Sequence, residues 1–242
     1  FHESMEQYYQ AKRKLFDQVA SCDTKPKRLA VINYDDDWGK KIISYNKNKK
    51  LKTLTYGLGV GADYRAADLR QTRKGTDFTL EVGRRQIRAS IPFIGKFNVY
   101  NALAALVAGV GMGLNVRETV SNLADFPQIP GRLESVSEGR PFDIYVDYAH
   151  TPDALSNALL TLGELNPRRL IVIFGCGGDR DDTKRAQMGN IAATIANYAI
   201  ITSDNPRSES PSQIISEIES GFEGTHYEIV EDRREAIALG VS

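Results

Sequence analysis

From residue 129 onward, short apolar runs and helical stretches take turns: RRLIVIFG, DTKRAQMGNIAATIAN, YAIITS, PSQIISEIESGF, HYEIVED. This rhythm constrains the fold more than any other feature of the chain. A strand that returns parallel to its predecessor needs a long crossover, ordinarily a helix, so the alternation predicts an α/β architecture with a mostly parallel sheet. RLESVS and FDIYVDYA read as further strands of this part, and PDALSNALLTLGEL as a further helix.

The text before residue 129 has another pattern. Residues 3–20 (ESMEQYYQAKRKLFDQVA) fit a helix, with Met5, Tyr8 or Tyr9, Lys12, Leu15, Phe16 and Val19 at helical spacing. Ser4 is a candidate N-cap with Gln7 three residues on. RLAVINYDDDWGKKIISYN reads as a strand, an Asp-rich turn and a helix, and LKTLTYGLG as another strand. Alternation between residues 64 and 92 predicts antiparallel strands, and GKFNVYNALAALVAGVGMGL opens a helix at Asn98. This first part is therefore a mixed sheet with helices. FPQIPGR, carrying two prolines and a glycine, marks the boundary and divides the chain into residues 1–128 and 129–242.

The 242 residues suffice for two domains of ordinary size. Lys plus Arg and Asp plus Glu balance at 31 each, so no global field draws the chain to nucleic acid or to an anionic membrane. ALAALVAGVGMGL is too short and too glycine-rich to span a bilayer. Cys22 and Cys176 form neither a disulfide framework nor a metal-binding spacing, which fits a reducing, cytoplasmic setting. Phe1 is not a start methionine, and HYEIVEDRREAIALGVS reads as a strand followed by a helix that stops partway. The expectation is a part of a longer protein.

In open α/β sheets, ligands sit beyond the carboxyl ends of strands. Three polar clusters fall at such ends: DYAHTPD (147–153), GCGGDRDDTKR (175–185) and SDNPRSES (203–210). The glycines of GCGGDRD would let backbone N–H groups approach an anion at a helix N-terminus, and the fork of Arg180 can grip a carboxylate or phosphate. A tight strand-to-helix turn explains the same glycines without a ligand. Asp147 and His150 flank a turn, with Pro152 placed as a first helical residue; a capping aspartate and a surface histidine explain them equally. Asn98 and Asn101 share a helix face, and Asn98 can be a simple N-cap. Arg132 at the boundary is either a solvated charge or a phosphate clamp that acts when domains close. Lys12, taken alone, reads as an exposed helical lysine.

Taken in order, FHESMEQYYQAKRKLF, INYDDDWG, GKFNVYNALAAL, PGRLESV, VDYAHTPDAL, FGCGGDRDDTKR and SDNPRSESP resemble the Mur ligases, and among them the branch that adds the third peptide residue in cell-wall precursor synthesis. The folate polyglutamate ligases share the asparagine helix but are not expected to carry GCGGDRD followed by DNPR. The resemblance implies the second half of a central ATP-binding domain followed by an incomplete, Rossmann-like C-terminal domain. The UDP-binding domain and a G-x-x-G-K-[ST] phosphate loop are missing from the chain, so it is not expected to act alone.

The resemblance also implies an ATP-dependent amide ligase that adds meso-diaminopimelate to UDP-MurNAc-L-Ala-D-Glu through an acyl phosphate. It implies that Lys12 becomes carbamylated and binds Mg2+, and that Asn101 and Arg132 contact ATP. It further implies that Asp147 lies at the ribose, with His150 close by. Asp204, Asn205, Pro206 and Arg207 would read the incoming amino acid, Arg207 pairing with its distal carboxylate, Asp204 facing an ammonium, Pro206 fixing the turn, and Arg180 adding a contact. Two alternatives stand beside this reading: a lysine-adding ligase, and a non-catalytic Rossmann-like binding module.

Overall fold

The computed structural model describes residues 4–49, 51–137, 139–224 and 226–242. Residues 1–3, at the head of the first motif, lie outside the described residues. The chain divides into two compact units, Phe1–Gln128 and Ile129–Ser242.

The first unit begins with α1 (Met5–Ser21), capped by Ser4, whose Oγ accepts from Gln7 N at 3.2 Å. No residue of α1 is fully buried. Tyr9, Phe16 and Val19 pack against a cluster of Ala30, Ile32, Ile42 and Leu51, while Met5, Tyr8 and Leu15 stay exposed. The apolar spacing is thus split between two faces.

Next come β1 (Ala30–Asn33), α2 (Asp37–Asn48), β2 (Thr53–Gly57), β3 (Tyr64–Thr72), β4 (Gly75–Val82) and β5 (Arg85–Ile91). They form one mixed sheet in the order β1-β2-β3-β4-β5. The first three strands run parallel and the last three antiparallel. The Asp-rich turn does two jobs. Asp36 caps α2 by accepting from Gly39 N at 2.7 Å. Asp35 accepts from Leu58 N, Gly59 N and the Tyr100 hydroxyl at 2.6, 3.0 and 2.8 Å.

Tyr100 lies on α3 (Lys96–Met112). This helix begins two residues before Asn98, because Gly95 at φ +96° supplies the cap position that a side chain would strain. Asn98 is therefore not the N-cap. It is inside the first turn, 3% exposed, and its amide donates to Ile94 O at 2.8 Å. Val99, Leu103, Leu106 and Val107 of α3 pack against Phe78, Leu80 and Ile91 of the sheet. Each such fully buried side chain is worth about 1.5–3 kcal/mol over its exposed state. A further helix, α4 (Val116–Leu123), comes after it. Its signal was the cap Asn115, whose Oδ1 accepts from Arg117 N and Glu118 N, with the acid at the third helical position.

In the second unit, β6 (Glu134–Ser135) and β7 (Tyr145–Val146) pair antiparallel as a separate two-stranded ladder. RLESVS and FDIYVDYA are therefore not strands of the parallel sheet. Leu133, buried at φ +44°, turns the chain away just before β6, and Ser137 closes the return by accepting from Ile144 N at 2.7 Å. The elements α5 (Pro152–Gly163), β8 (Ile171–Phe174), α6 (Lys184–Ile195), β9 (Tyr198–Ile201), α7 (Pro211–Glu219), β10 (Tyr227–Ile229) and α8 (Arg233–Gly240) complete the alternation expected from the sequence. The sheet order is β10-β9-β8, all parallel. Leu159, Val172, Phe174, Met188, Ile201 and Ile218 form its core with neighbours from α5, α6 and α7.

The register pairs Phe174 with Ile201 at the carboxyl ends of β8 and β9. Two adjacent parallel strands end at the same level, so the glycine-rich loop and the DNPR loop leave the sheet side by side. Gly175 and Gly178 are demanded by that proximity. A Cβ on Gly175 would fall closer than 3.0 Å to Thr202 O, and one on Gly178 closer than 3.0 Å to Pro206 O. Both positions are far inside van der Waals contact with backbone, which cannot move aside cheaply.

Candidate functional site

The two loops after β8 and β9 are bonded into one surface. Gly178 N donates to Asn205 O at 2.9 Å, and Asp179 N donates to Glu209 Oε1. Ser208 closes on the Asp179 carboxylate through its hydroxyl at 2.6 Å and its amide N–H at 3.2 Å. The N–H groups of residues 178 and 179 are thus already used within the protein. That departs from the expectation that the glycines free backbone donors for an anion: they make room for the neighbouring loop instead.

Arg207 sits at φ +52° and Asp179 at φ +50°, both in the left-handed region that favours glycine. Such residues cost about 1–3 kcal/mol each and persist where surrounding contacts hold them. Arg207 is exposed, and its guanidinium donates one N–H to Gly178 O, which aims the fork across the glycine loop. Asp204 and Asn205 are exposed beside it, and Pro206 O accepts from Glu209 N at 3.0 Å, closing the turn. Arg180 is exposed too, with no hydrogen bond or ion pair among the described residues. The structure therefore brings Arg180 and Asp204 to Arg207 onto adjoining loops.

Beneath them lies a side chain that reading the sequence did not single out. Arg185, 1% exposed, donates from Nη1 to Glu209 Oε2 at 2.8 Å and to Glu217 Oε2 at 2.6 Å. Its Nη2 donates to Glu209 Oε1 at 2.9 Å and reaches Gly177 O at 3.4 Å. The guanidinium, and then the Asp179 N–H, hold the Glu209 carboxyl below its ordinary range. A lowered carboxylate adds stability that is complete above the ordinary glutamate range and fades as pH falls through the lowered value. The clamp is therefore intact at neutral pH and loosens in acid. A signal for Arg185 did exist: it stands three and seven residues before Met188 and Ala192, on the buried stripe of α6, where an unpaired charge could not remain.

The segment after β7 builds a second cluster. Asp147 Oδ2 accepts from Leu133 N at 2.9 Å, and Tyr148 N donates to Gly131 O at 2.7 Å. Asp147 does not cap α5; Thr151 does, accepting from Ala154 N at 3.3 Å, with Pro152 at the first turn. The Arg132 guanidinium lies 5.6 Å from the centroid of Tyr148, which is 65% exposed. His150 meets the same ring edge-on at 5.0 Å and 60°. Lys184, at the start of α6, donates to His150 O at 2.8 Å. Arg132, Tyr148 and His150 thus form an exposed aromatic ledge with a cation on one side. Because β7 is outside the parallel sheet, this cluster does not sit at a parallel strand end as the sequence suggested.

In the first unit, Asn101 is exposed one turn from Asn98, whose Oδ1 accepts from its amide at 3.4 Å. Asp35 fixes the neighbouring Tyr100, and burial, then the bond to Asp35, raises that phenol's pKa. Lys12 is exposed, with Nζ 5.2 Å from the Tyr8 ring centroid. Among the described residues, no group of three or more His, Cys, Asp or Glu side chains is placed to hold a metal ion. A lysine ammonium repels a cation, so Lys12 could serve Mg2+ only after carbamylation. One such ligand does not make a complete site. No helix among the described residues is long and apolar enough to cross a membrane.

Comparison with known proteins places these elements. Residues 1–109 match the Mur ligase middle domain, and residues 131–242 match the Mur ligase glutamate ligase domain. Among curated relatives, UDP-N-acetylmuramoyl-L-alanyl-D-glutamate--2,6-diaminopimelate ligase of Halalkalibacterium halodurans is 44% identical over 241 residues, covering 98% of this chain and 48% of the relative. The protein of the same name from Bacillus velezensis is 41% identical over 244 residues, covering 100% and 49%. A solved structure under that name superposes with a TM-score of 0.65 at 38% identity, covering 99% of this chain and 49% of the other. The chain spans about half the length of the curated relatives it matches. Two domain matches that together run through most of the sequence, on the mixed sheet and the parallel sheet just described, identify the lineage: the chain belongs to the Mur ligase family.

Proposed function

We propose that the whole protein containing this chain is an ATP-dependent amide ligase that joins meso-diaminopimelate to UDP-MurNAc-L-Ala-D-Glu in the cytoplasm. In this reading the terminal phosphoryl group of ATP passes to the D-glutamate side-chain carboxylate. The amine of the incoming amino acid then attacks the acyl phosphate, forming the amide bond and releasing ADP and phosphate. Both steps build negative charge, so cations and donors positioned in advance carry the catalysis.

The observation that carries the proposal is the joined loop surface after β8 and β9. Arg207 and Arg180 stand on it as two exposed guanidinium groups, with Asp204 beside them. A diamino acid with a second carboxylate and a second ammonium matches that set: the fork of Arg207 takes the carboxylate, helped by the Asn205 amide, and Asp204 takes the ammonium. Lysine has no distal carboxylate and would leave Arg207 unpaired, which is costly in a closed site. Arg132, Asp147 and His150 form the nucleotide side of the proposal. The Arg132–Tyr148–His150 ledge offers a flat face with a cation, and Asp147 keeps one oxygen beyond its bond to Leu133 N for a ribose hydroxyl. Asn101, exposed on α3, is the proposed ATP contact of the first unit. The metal's contribution would be to neutralise phosphate charge, with carbamylated Lys12 as one oxygen ligand.

The test is amide formation by the whole protein with UDP-MurNAc-L-Ala-D-Glu, ATP and either amino acid. The expected result is a preference for meso-diaminopimelate over L-lysine of at least about a hundredfold in kcat/KM, as for a site whose polar groups demand a partner. A preference for lysine would overturn the reading of Arg207, and no ATP-dependent amide with either would favour a binding module.

A further inference from the structure

We propose that Arg185 is a positioning residue for selection of the incoming amino acid, acting through Glu209 to hold the loop that carries Arg207 in register with the glycine loop. This deepens the proposed function and rests on its placement of the amino-acid site.

A guanidinium that is 1% exposed has lost its water, and repayment requires excellent geometry. Arg185 makes a two-pronged pair with Glu209 at 2.8 and 2.9 Å and a further bond to Glu217 at 2.6 Å, while its Nε has no hydrogen-bond partner among the described residues. Replacing such a set by apolar side chains is often neutral or stabilising, so stability alone does not explain its presence; fixing one conformation among several does. The partners identify what is fixed. Glu209 comes two residues after Arg207, and its carboxylate also receives Asp179 N from the glycine loop. Arg185 itself reaches Gly177 O. Asp179 then holds Ser208, the residue directly after Arg207. The bonds to Glu209 and to Gly177 O end within two residues of Arg207 or on the carbonyl-bearing loop that Arg207 grips, and the bond to Glu217 ties the guanidinium to α7.

Both left-handed residues of these loops, Asp179 and Arg207, lie inside this network. Their backbone would relax toward common conformations if the clamp opened, and Arg207 would swing off the glycine loop. Misplacement by about an ångström of a group that orients substrate costs up to about a hundredfold. Arg185 touches neither substrate nor nucleotide in this scheme. Its effect is confined to where Arg207 and Asp204 point.

The experiment uses the whole protein and three variants, Glu209→Gln, Ser208→Ala and Arg185→Lys. Glu209→Gln keeps shape but removes the charge that faces Arg185. Ser208→Ala removes an exposed tie between the loops without touching the buried ion pair, so it reports on loop register even if Glu209→Gln proves unstable. Steady-state kinetics give KM for the preferred amino acid, KM for ATP, and the diaminopimelate-to-lysine ratio of kcat/KM. The expected result is a rise of about 10- to 100-fold in KM for the amino acid with Glu209→Gln, and a smaller rise with Ser208→Ala. In both, KM for ATP stays within about twofold and the amino-acid ratio falls toward one, because a misaimed fork no longer rewards the distal carboxylate. Restoring a cation–carboxylate pair in a different form, as Arg185→Lys, should keep part of the selectivity. An unchanged amino-acid KM and ratio in folded variants would overturn the positioning role. A wild-type preference for lysine would instead sink the diaminopimelate reading, while a rise in lysine KM in the variants would still support the clamp.

Discussion

Arg207→Ala in the whole protein is expected to lower kcat/KM for meso-diaminopimelate by about a hundredfold, while KM for ATP stays within about twofold. The magnitude comes from the contact. A charge-assisted pair contributes about 1.5–3 kcal/mol, and every 1.4 kcal/mol is tenfold. The loss should fall on binding of the amino acid, since the guanidinium contributes to holding it before and during attack alike. Alanine carries a Cβ as arginine does, so its intrinsic cost at this positive φ is similar. Arg207→Lys should recover only part of the activity, because an ammonium cannot grip a carboxylate with two parallel donors. L-lysine, by contrast, should be used no worse by the alanine variant than by the wild type. Parallel loss for ATP and for the amino acid would show that Arg207 supports the whole unit and does not read the substrate.

Lys12→Ala should reduce turnover by about 10²–10³-fold while leaving the fold in place. The structural half of that expectation comes from α1. None of its residues is fully buried, and Lys12 is exposed with its Nζ 5.2 Å from the Tyr8 ring centroid. Alanine is the best helix former, so the substitution removes no core contact and adds no helix strain. The functional half rests on the carbamate. A neutral lysine amine that takes up carbon dioxide becomes an anionic oxygen ligand, and loss of one preorganised charge at a phosphoryl-transfer site costs this much. Two readouts check it: unfolding of the variant against wild type, and mass spectrometry of the Lys12 peptide for the added carbon dioxide. Unchanged turnover would remove Lys12 from the site.

Legibility differed sharply between local and tertiary features. The parallel sheet of the second unit was readable because each strand was a short apolar run between helices, as in RRLIVIFG and YAIITS. The cap at Ser4 and Pro152 at the start of α5 were readable because capping is decided within four residues. The start of α3 was misplaced because Asn98 carries a capping side chain, whereas the chain uses Gly95 at positive φ and turns Asn98 inward. The ladder of β6 and β7 could not be told from two parallel strands, since two-residue strands leave no period to read. The glycines of GCGG drew attention as anion binders, but Gly175 faces Thr202 O and Gly178 faces Pro206 O, contacts that exist only once β8 and β9 are paired. The same holds for Arg185 and Glu209, which meet across 24 residues of sequence. What the residues alone disclosed at the site was its inventory of charges; which of them support the others is a property of the fold.

The central claim is that Arg207 exists to meet the second carboxylate of a diamino acid. A crystal structure of the whole protein with meso-diaminopimelate bound tests it most directly. The account predicts both distal carboxylate oxygens within hydrogen-bond distance of the Arg207 guanidinium, about 2.7–2.9 Å, with Asp204 turned to the ammonium. A guanidinium still bonded only to Gly178 O, with the distal carboxylate held elsewhere or left in water, would contradict it.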